Sequence, residues 1–225
     1  LAQQIVHGEA CYDTWCIDPR RFTSHTNVEM TSLKAIEDYQ NEFRFHFPHE
    51  HRPAARPAKT TSLTAVMASE KASFTVINGW ERVEYFKPSK DFQPSLSFHF
   101  DETFDIVAKE VSNVRDNVGL CEVNGFNRFE ITGLDSERFI DRLFCGNITH
   151  KPGRVGLGYL LNDFGMVKSE ATIANIPASD RGLNRMWYGS AAASEFHDMD
   201  WLSQHINPDE NVKINCLGVH GDVSI

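Results

Sequence analysis

Three side chains in the run from Met166 to Ile176, Lys168, Glu170 and Thr172, stand two residues apart. On an extended chain successive side chains point to opposite faces, so these three share one side, while Val167, Ala171 and Ile173 fall near or on the other. A rigidly held carboxylate and hydroxyl can meet a ligand that offers N–H groups, and the carboxylate can also take up or give back a proton. The same alternation describes the solvated face of an antiparallel sheet, so spacing alone leaves both readings open.

The elements that must position these residues are legible around them. Leu157 to Leu161 is apolar with one aromatic, Asn162-Asp163-Phe164-Gly165 supplies turn residues, and the extended pattern then resumes, which predicts a β-hairpin. Upstream, Phe104, Val107, Val111, Val114 and Val118 recur at three and four residues. They predict an amphipathic helix stopped by Gly119, with its valine stripe against the sheet. Asn124-Gly125 predicts a tight turn between strands Leu120 to Val123 and Arg128 to Thr132. Asp135 is placed to cap a helix whose apolar face is Phe139, Ile140, Leu143 and Phe144. Further helices are expected over Ser32 to Phe43 and Ala191 to Ile206, and a strand from Val212 followed by a turn at His220-Gly221-Asp222. Five of the nine prolines lie between Pro48 and Pro94, which reads as a linker draped over a surface. Together these predict an α+β domain, helices packed on a largely antiparallel sheet.

Composition narrows the function classes. A chain of 225 residues, 41% hydrophobic and 11% aromatic, can bury a core. A net charge of -9 argues against nucleic acid or an anionic membrane as the main partner. Any anionic ligand would need local cations, for which Lys151, Arg154 and Lys168 are candidates. Cys11, Cys16, Cys121, Cys145 and Cys216 are odd in number and form no CxxC, as expected for free thiols in a reducing compartment, cytoplasmic or the mitochondrial matrix. No run has the length of a membrane span. His46, His49 and His51 lack metal-ligand spacing across Pro48, so no metal site is assigned. Gly153 to Gly158 has the wrong glycine order for a dinucleotide fingerprint and enters a strand. His197-Asp198 beside Ser194 has triad residue types but no nucleophile elbow, and on a helix the three are expected to point apart.

The hairpin and its lead-in carry a family resemblance. Gly119-Leu120, Phe129 to Asp135, Asp141-Arg142-Leu143 and Gly158 to Asn162 resemble the folate-binding domain shared by dimethylglycine and sarcosine dehydrogenases and the glycine-cleavage aminomethyltransferase. Gly79-Trp80-Glu81-Arg82 with Tyr85-Phe86-Lys87-Pro88 resembles the stretch linking the flavin and folate halves of the dehydrogenases. Ile5 to Glu9 with Asp18, Arg21 and Phe22, and Ala54-Ala55-Arg56-Pro57, are similar to the end of their flavin domain.

That resemblance implies an internal fragment: residues 1–57 from the end of the flavin-oxidoreductase domain, 58–97 a linker, and 98–225 the N-terminal part of an aminomethyltransferase-like domain. It implies a flavin-dependent oxidoreductase acting on an N-methylated glycine, with FAD bound by a part preceding these residues and the one-carbon unit passed to tetrahydrofolate. It makes Glu170 the match of the acidic residue that contacts tetrahydrofolate and handles its protons, Thr172 a nearby contact and Tyr159 a further one. Aminomethyltransferases carry an aspartate pair where Ser169-Glu170 stands and a second glycine where Met166 stands. The pyruvate dehydrogenase phosphatase regulatory subunit resembles the same family, so a non-catalytic binding protein is the alternative.

Overall fold

The computed structural model describes residues 2–8, 12–22, 25–146, 151–177 and 185–217. The C-terminal turn expected at residues 220–222 lies outside them. The chain divides into two compact units. One is built from residues 2–22 and 126–217, the other from 25–125.

In the first unit, residues 2–22 supply α1 (Ala2–His7) and 3-10 turns at Tyr12–Ile17 and Pro19–Phe22. The second unit opens with α2 (Val28–Gln40), which starts four residues earlier than the apolar spacing predicts. Asn27 sets that start, because its side chain accepts the Met30 N–H at 2.8 Å. Then come α3 (Thr64–Ser69), β1 (Ala72–Ile77), β2 (Trp80–Phe86) and α4 (Glu102–Asp116), so the residues read as a linker hold a helix and an antiparallel hairpin. Two contacts gather the ends of this unit at the hairpin's turn. The His25 ring lies 2.6–2.9 Å from where a Cβ on Gly79 would stand, and Asn124 Nδ2 donates to the Glu81 carbonyl at 3.0 Å.

α4 departs from expectation. Asp101 caps it through the Thr103 N–H, yet no α4 residue is buried, and Val111 is 46% exposed. The stripe is real as a pattern, but it does not enter a core within its own unit. Val111→Asp is therefore expected to cost about 1 kcal/mol or less by chemical denaturation, the range of an exposed helix position and not of a buried charge. A loss of several kcal/mol would show the stripe to be covered.

The rest of the first unit runs β3 (Phe126–Thr132), α5 (Ser136–Leu143), β4 (Phe144–Cys145), β5 (Val155–Leu161), β6 (Val167–Ile176), β7 (Arg185–Ala191), a 3-10 turn at Ala192–Ser194, α6 (Glu195–Gln204) and β8 (Lys213–Cys216). Leu120 to Val123 is not a strand, so Asn124-Gly125 does not close the expected hairpin. β3 pairs instead with β7 and β8, in a six-stranded antiparallel sheet of order β4-β5-β6-β7-β3-β8. One sheet face carries Phe129, Ile131, Leu160, Ala171, Ile173, Met186 and Tyr188. It packs with Phe139 and Ile140 of α5 and Leu202 of α6 into a single core. This is the expected α+β layering.

Asp135 stands at the start of α5 but makes no side-chain cap. Its Oδ2 accepts the Asn211 N–H at 2.8 Å, its own N–H donates to the Asn211 carbonyl at 3.3 Å, and Gly133 beside it has φ +118°. The Gly133–Asp135 corner thus locks the end of β3 to the approach of β8. Cys16, Cys121, Cys145 and Cys216 are free thiols. Among the described residues no helix is long and apolar enough to cross a membrane.

Candidate functional site

The β5–β6 hairpin forms as its residues dictate. Asn162 Oδ1 accepts the N–H groups of Phe164 and Met166 at 3.1 and 2.9 Å, and Gly165 takes φ +75°. The register then sets Tyr159 opposite Glu170 and Leu157 opposite Thr172, while on the other side Thr172 faces Gly189 of β7. Glu170 and Thr172 are both exposed on the face away from the core, whereas Ser169, Ala171 and Ile173 are buried beneath. Val167, expected with the buried set, is 61% exposed because the ladder slips between Leu160 and Leu161.

A hollow of about 460 Å³ opens on this face, within the size range of small-ligand sites. Lys168, Glu170 and Thr172 supply its polar wall. Phe126, Leu157 and Val167 supply its apolar wall, and the side-chain-free Gly189 leaves depth between them. Tyr159 does not line it. Its hydroxyl reaches the Glu170 carboxylate from the neighbouring strand, and that negative charge, ahead of the hydrogen bond and burial, raises the phenol above its ordinary range. Of the three candidate cations only Lys168 lines the hollow; Lys151 and Arg154 lie exposed elsewhere. His49 and His51, left without a metal in the sequence reading, flank one carboxylate, Glu84, at 3.1 and 3.0 Å.

Directly under the hollow is a group the sequence reading missed. Asp198 on α6 is wholly buried. Its Oδ2 accepts hydrogen bonds from the hydroxyls of Tyr188 at 2.5 Å, Ser190 at 2.6 Å and Ser169 at 3.1 Å, and its Oδ1 pairs with His197 Nδ1 at 2.8 Å. Burial first, then the Asp198 charge, drives the Tyr188 phenol far above its usual range, so it stays a donor. His197 and Asp198 thus do converge, contrary to expectation, although with Ser169 and Ser190 in place of Ser194. The available signal was strand parity, which puts Ser169, Tyr188 and Ser190 on the inward face among apolar residues.

Residues 63–220 match the family described as GCVT N-terminal domain, 158 of the 225 residues. The chain belongs to this family. Within the GCVT N-terminal domain lie the hollow, the hairpin and Asp198. Residues 7–61 match a second family, the FAD dependent oxidoreductase central domain. Mitochondrial dimethylglycine dehydrogenase of Rattus norvegicus is 31% identical over 205 residues, which cover 91% of this chain and 23% of that protein. The mitochondrial pyruvate dehydrogenase phosphatase regulatory subunit of Mus musculus is 24% identical over 219 residues, covering 94% and 24%. The chain therefore spans about a quarter of the length of these curated relatives. The aminomethyltransferase T of the glycine cleavage system from Bartonella henselae superposes with a TM-score of 0.50 at 15% identity, over 71% of this chain and 38% of that one, a likeness of fold. The resemblance to dimethylglycine and sarcosine dehydrogenases read from the sequence is borne out, and with it the aminomethyltransferase-like α+β fold.

Proposed function

We propose that this chain forms the tetrahydrofolate-facing part of a flavin-dependent N-methylamine dehydrogenase that acts on dimethylglycine or sarcosine, in the cytoplasm or, in a eukaryote, the mitochondrial matrix. The observation that carries the reading is the joint placement of Lys168, Glu170 and Thr172 along one wall of an open hollow. The residue types suit a reduced folate. A carboxylate and a hydroxyl answer the N–H groups of the pterin, an ammonium answers the anionic tail, and the apolar wall answers the flat ring.

FAD, held by residues beyond these, would supply the two-electron oxidation of the amine. The task left to this face is proton traffic. Capture of the one-carbon unit by two folate nitrogens displaces the demethylated amine and releases one proton overall. Glu170 would move a proton from a folate nitrogen toward the departing amine, with the Tyr159 phenol beside its carboxylate. Thr172 and Lys168 orient and do not exchange protons.

The test is Glu170→Gln in the whole protein, which keeps the shape and removes the charge. Tetrahydrofolate-dependent capture is expected to fall about a hundredfold, with formaldehyde released in its place and amine oxidation unchanged. Unchanged product partitioning would make Glu170 an ordinary surface carboxylate. A second reading, a non-catalytic regulatory protein, is favoured by the match over 94% of the chain to a phosphatase regulatory subunit. Whole protein that carries no flavin and oxidises neither amine would decide for it.

A further inference from the structure

We propose that Asp198 is a positioning residue for the hollow, acting through Ser169 and Ser190 to fix the two strands that line it, β6 with the polar wall and β7 with Gly189. Ser169 immediately precedes Glu170 on β6, and Ser190 immediately follows Gly189 on β7. Both hydroxyls turn inward to the same carboxylate oxygen, at 3.1 and 2.6 Å, and Tyr188, on the other side of Gly189, binds that oxygen as well. One buried oxygen therefore ties β6 to β7 just beneath the point where Thr172 pairs with Gly189.

The carboxylate is itself held from behind. Its other oxygen pairs with His197, whose ring meets the edge of Trp15 at 5.3 Å, and Asn127 of β3 extends the network by donating to Ser190 at 2.9 Å. An apolar core would close this sheet without a charge, and a wholly buried carboxylate is costly unless every donor is in place. The arrangement makes sense as a fixture. Four donors from two strands and one helix must adopt a single geometry to satisfy it, and that geometry sets where Glu170 stands on the opposite face.

The proposal rests on the folate reading for its ligand, so its test has two arms. In the first, hydrogen exchange is followed in Ser169→Ala, which removes one hydroxyl with little change of volume, and in Asp198→Asn. Exchange is expected to speed up about tenfold at residues 169–172 and 188–190 while staying at the parent rate at Ile131. In the second, the whole protein bearing either substitution is titrated with tetrahydrofolate. Half-saturation is expected to rise about tenfold, with turnover at saturating folate and amine oxidation unchanged. Unaltered or uniformly faster exchange would reduce Asp198 to core packing and overturn the proposal. Selective opening that leaves half-saturation at the parent value would overturn it too, provided Glu170→Gln impairs capture. If Glu170→Gln has no effect either, the folate reading falls, and the exchange arm alone decides whether Asp198 sets the hollow's shape.

Discussion

Arg56→Ala is expected to remove about 3–5 kcal/mol from the unit formed by residues 25–125. The Arg56 guanidinium donates from Nε to Glu81 Oε1 at 3.0 Å and from one terminal nitrogen to Glu81 Oε2 at 2.6 Å and the Phe74 carbonyl at 2.9 Å. Glu81 is only 5% exposed, so truncation leaves its charge in a poorly hydrated place with no cation to offset it. The pair joins two segments that the sequence resemblance had singled out, Ala54 to Pro57 and Gly79 to Arg82, and gives a physical reason for them. Arg56→Lys keeps the charge but loses the two-pronged geometry, so an intermediate loss is expected. The measurement is exchange or proteolytic susceptibility of residues 72–86 against urea. Parent-like midpoints in both variants would show that the pair contributes nothing.

Gly133→Ala should cost the other unit about 3 kcal/mol or more. A Cβ there would stand 2.0 Å from the backbone oxygen of Asn211, and at φ +118° a side chain is disfavoured before any contact is counted. Relief requires Asn211 to withdraw, which breaks both of its hydrogen bonds to Asp135 and pulls β8 from the sheet edge. Gly165→Ala is the matched comparison. It also has positive φ, +75°, but open space around it, so only the backbone cost of about 1 kcal/mol is expected. Equal midpoints for the two alanine variants in urea unfolding would refute the steric account.

The β5–β6 hairpin was legible because period-two alternation, an Asn-initiated turn and a glycine all agree, and this placed Glu170 and Thr172 correctly on a common outward face. Local signals failed where tertiary pairing decides. Asn124-Gly125 is good turn chemistry, but β3 finds better partners in β7 and β8, distant in sequence, and the preceding residues are left irregular. The valine stripe of α4 specifies a helix and not what the helix touches. Asp135 looks like a cap by position, and its carboxylate is instead taken by Asn211, 76 residues on. The Asp198 cluster draws on β6, β7 and α6, so no single window of sequence contains it. Its trace was the serine, tyrosine and serine on strand positions where the pattern called for apolar residues.

The path of the chain has a consequence for how the molecule folds. Residues 2–22 and 126–217 belong to one unit, with roughly a hundred residues of the other unit between them. Drawing the ends of such a long flexible excursion together costs roughly 4 kcal/mol of chain entropy. Here the intervening unit meets that cost itself, because residues 25 and 124 both pack where the β1–β2 turn enters β2, at Gly79 and Glu81. Once this unit is formed, the sheet-bearing unit no longer closes a long loop, only a short one. The expected order is therefore middle first and flanks second, and a mutation that melts the β1–β2 hairpin should slow formation of the six-stranded sheet although it touches none of its strands.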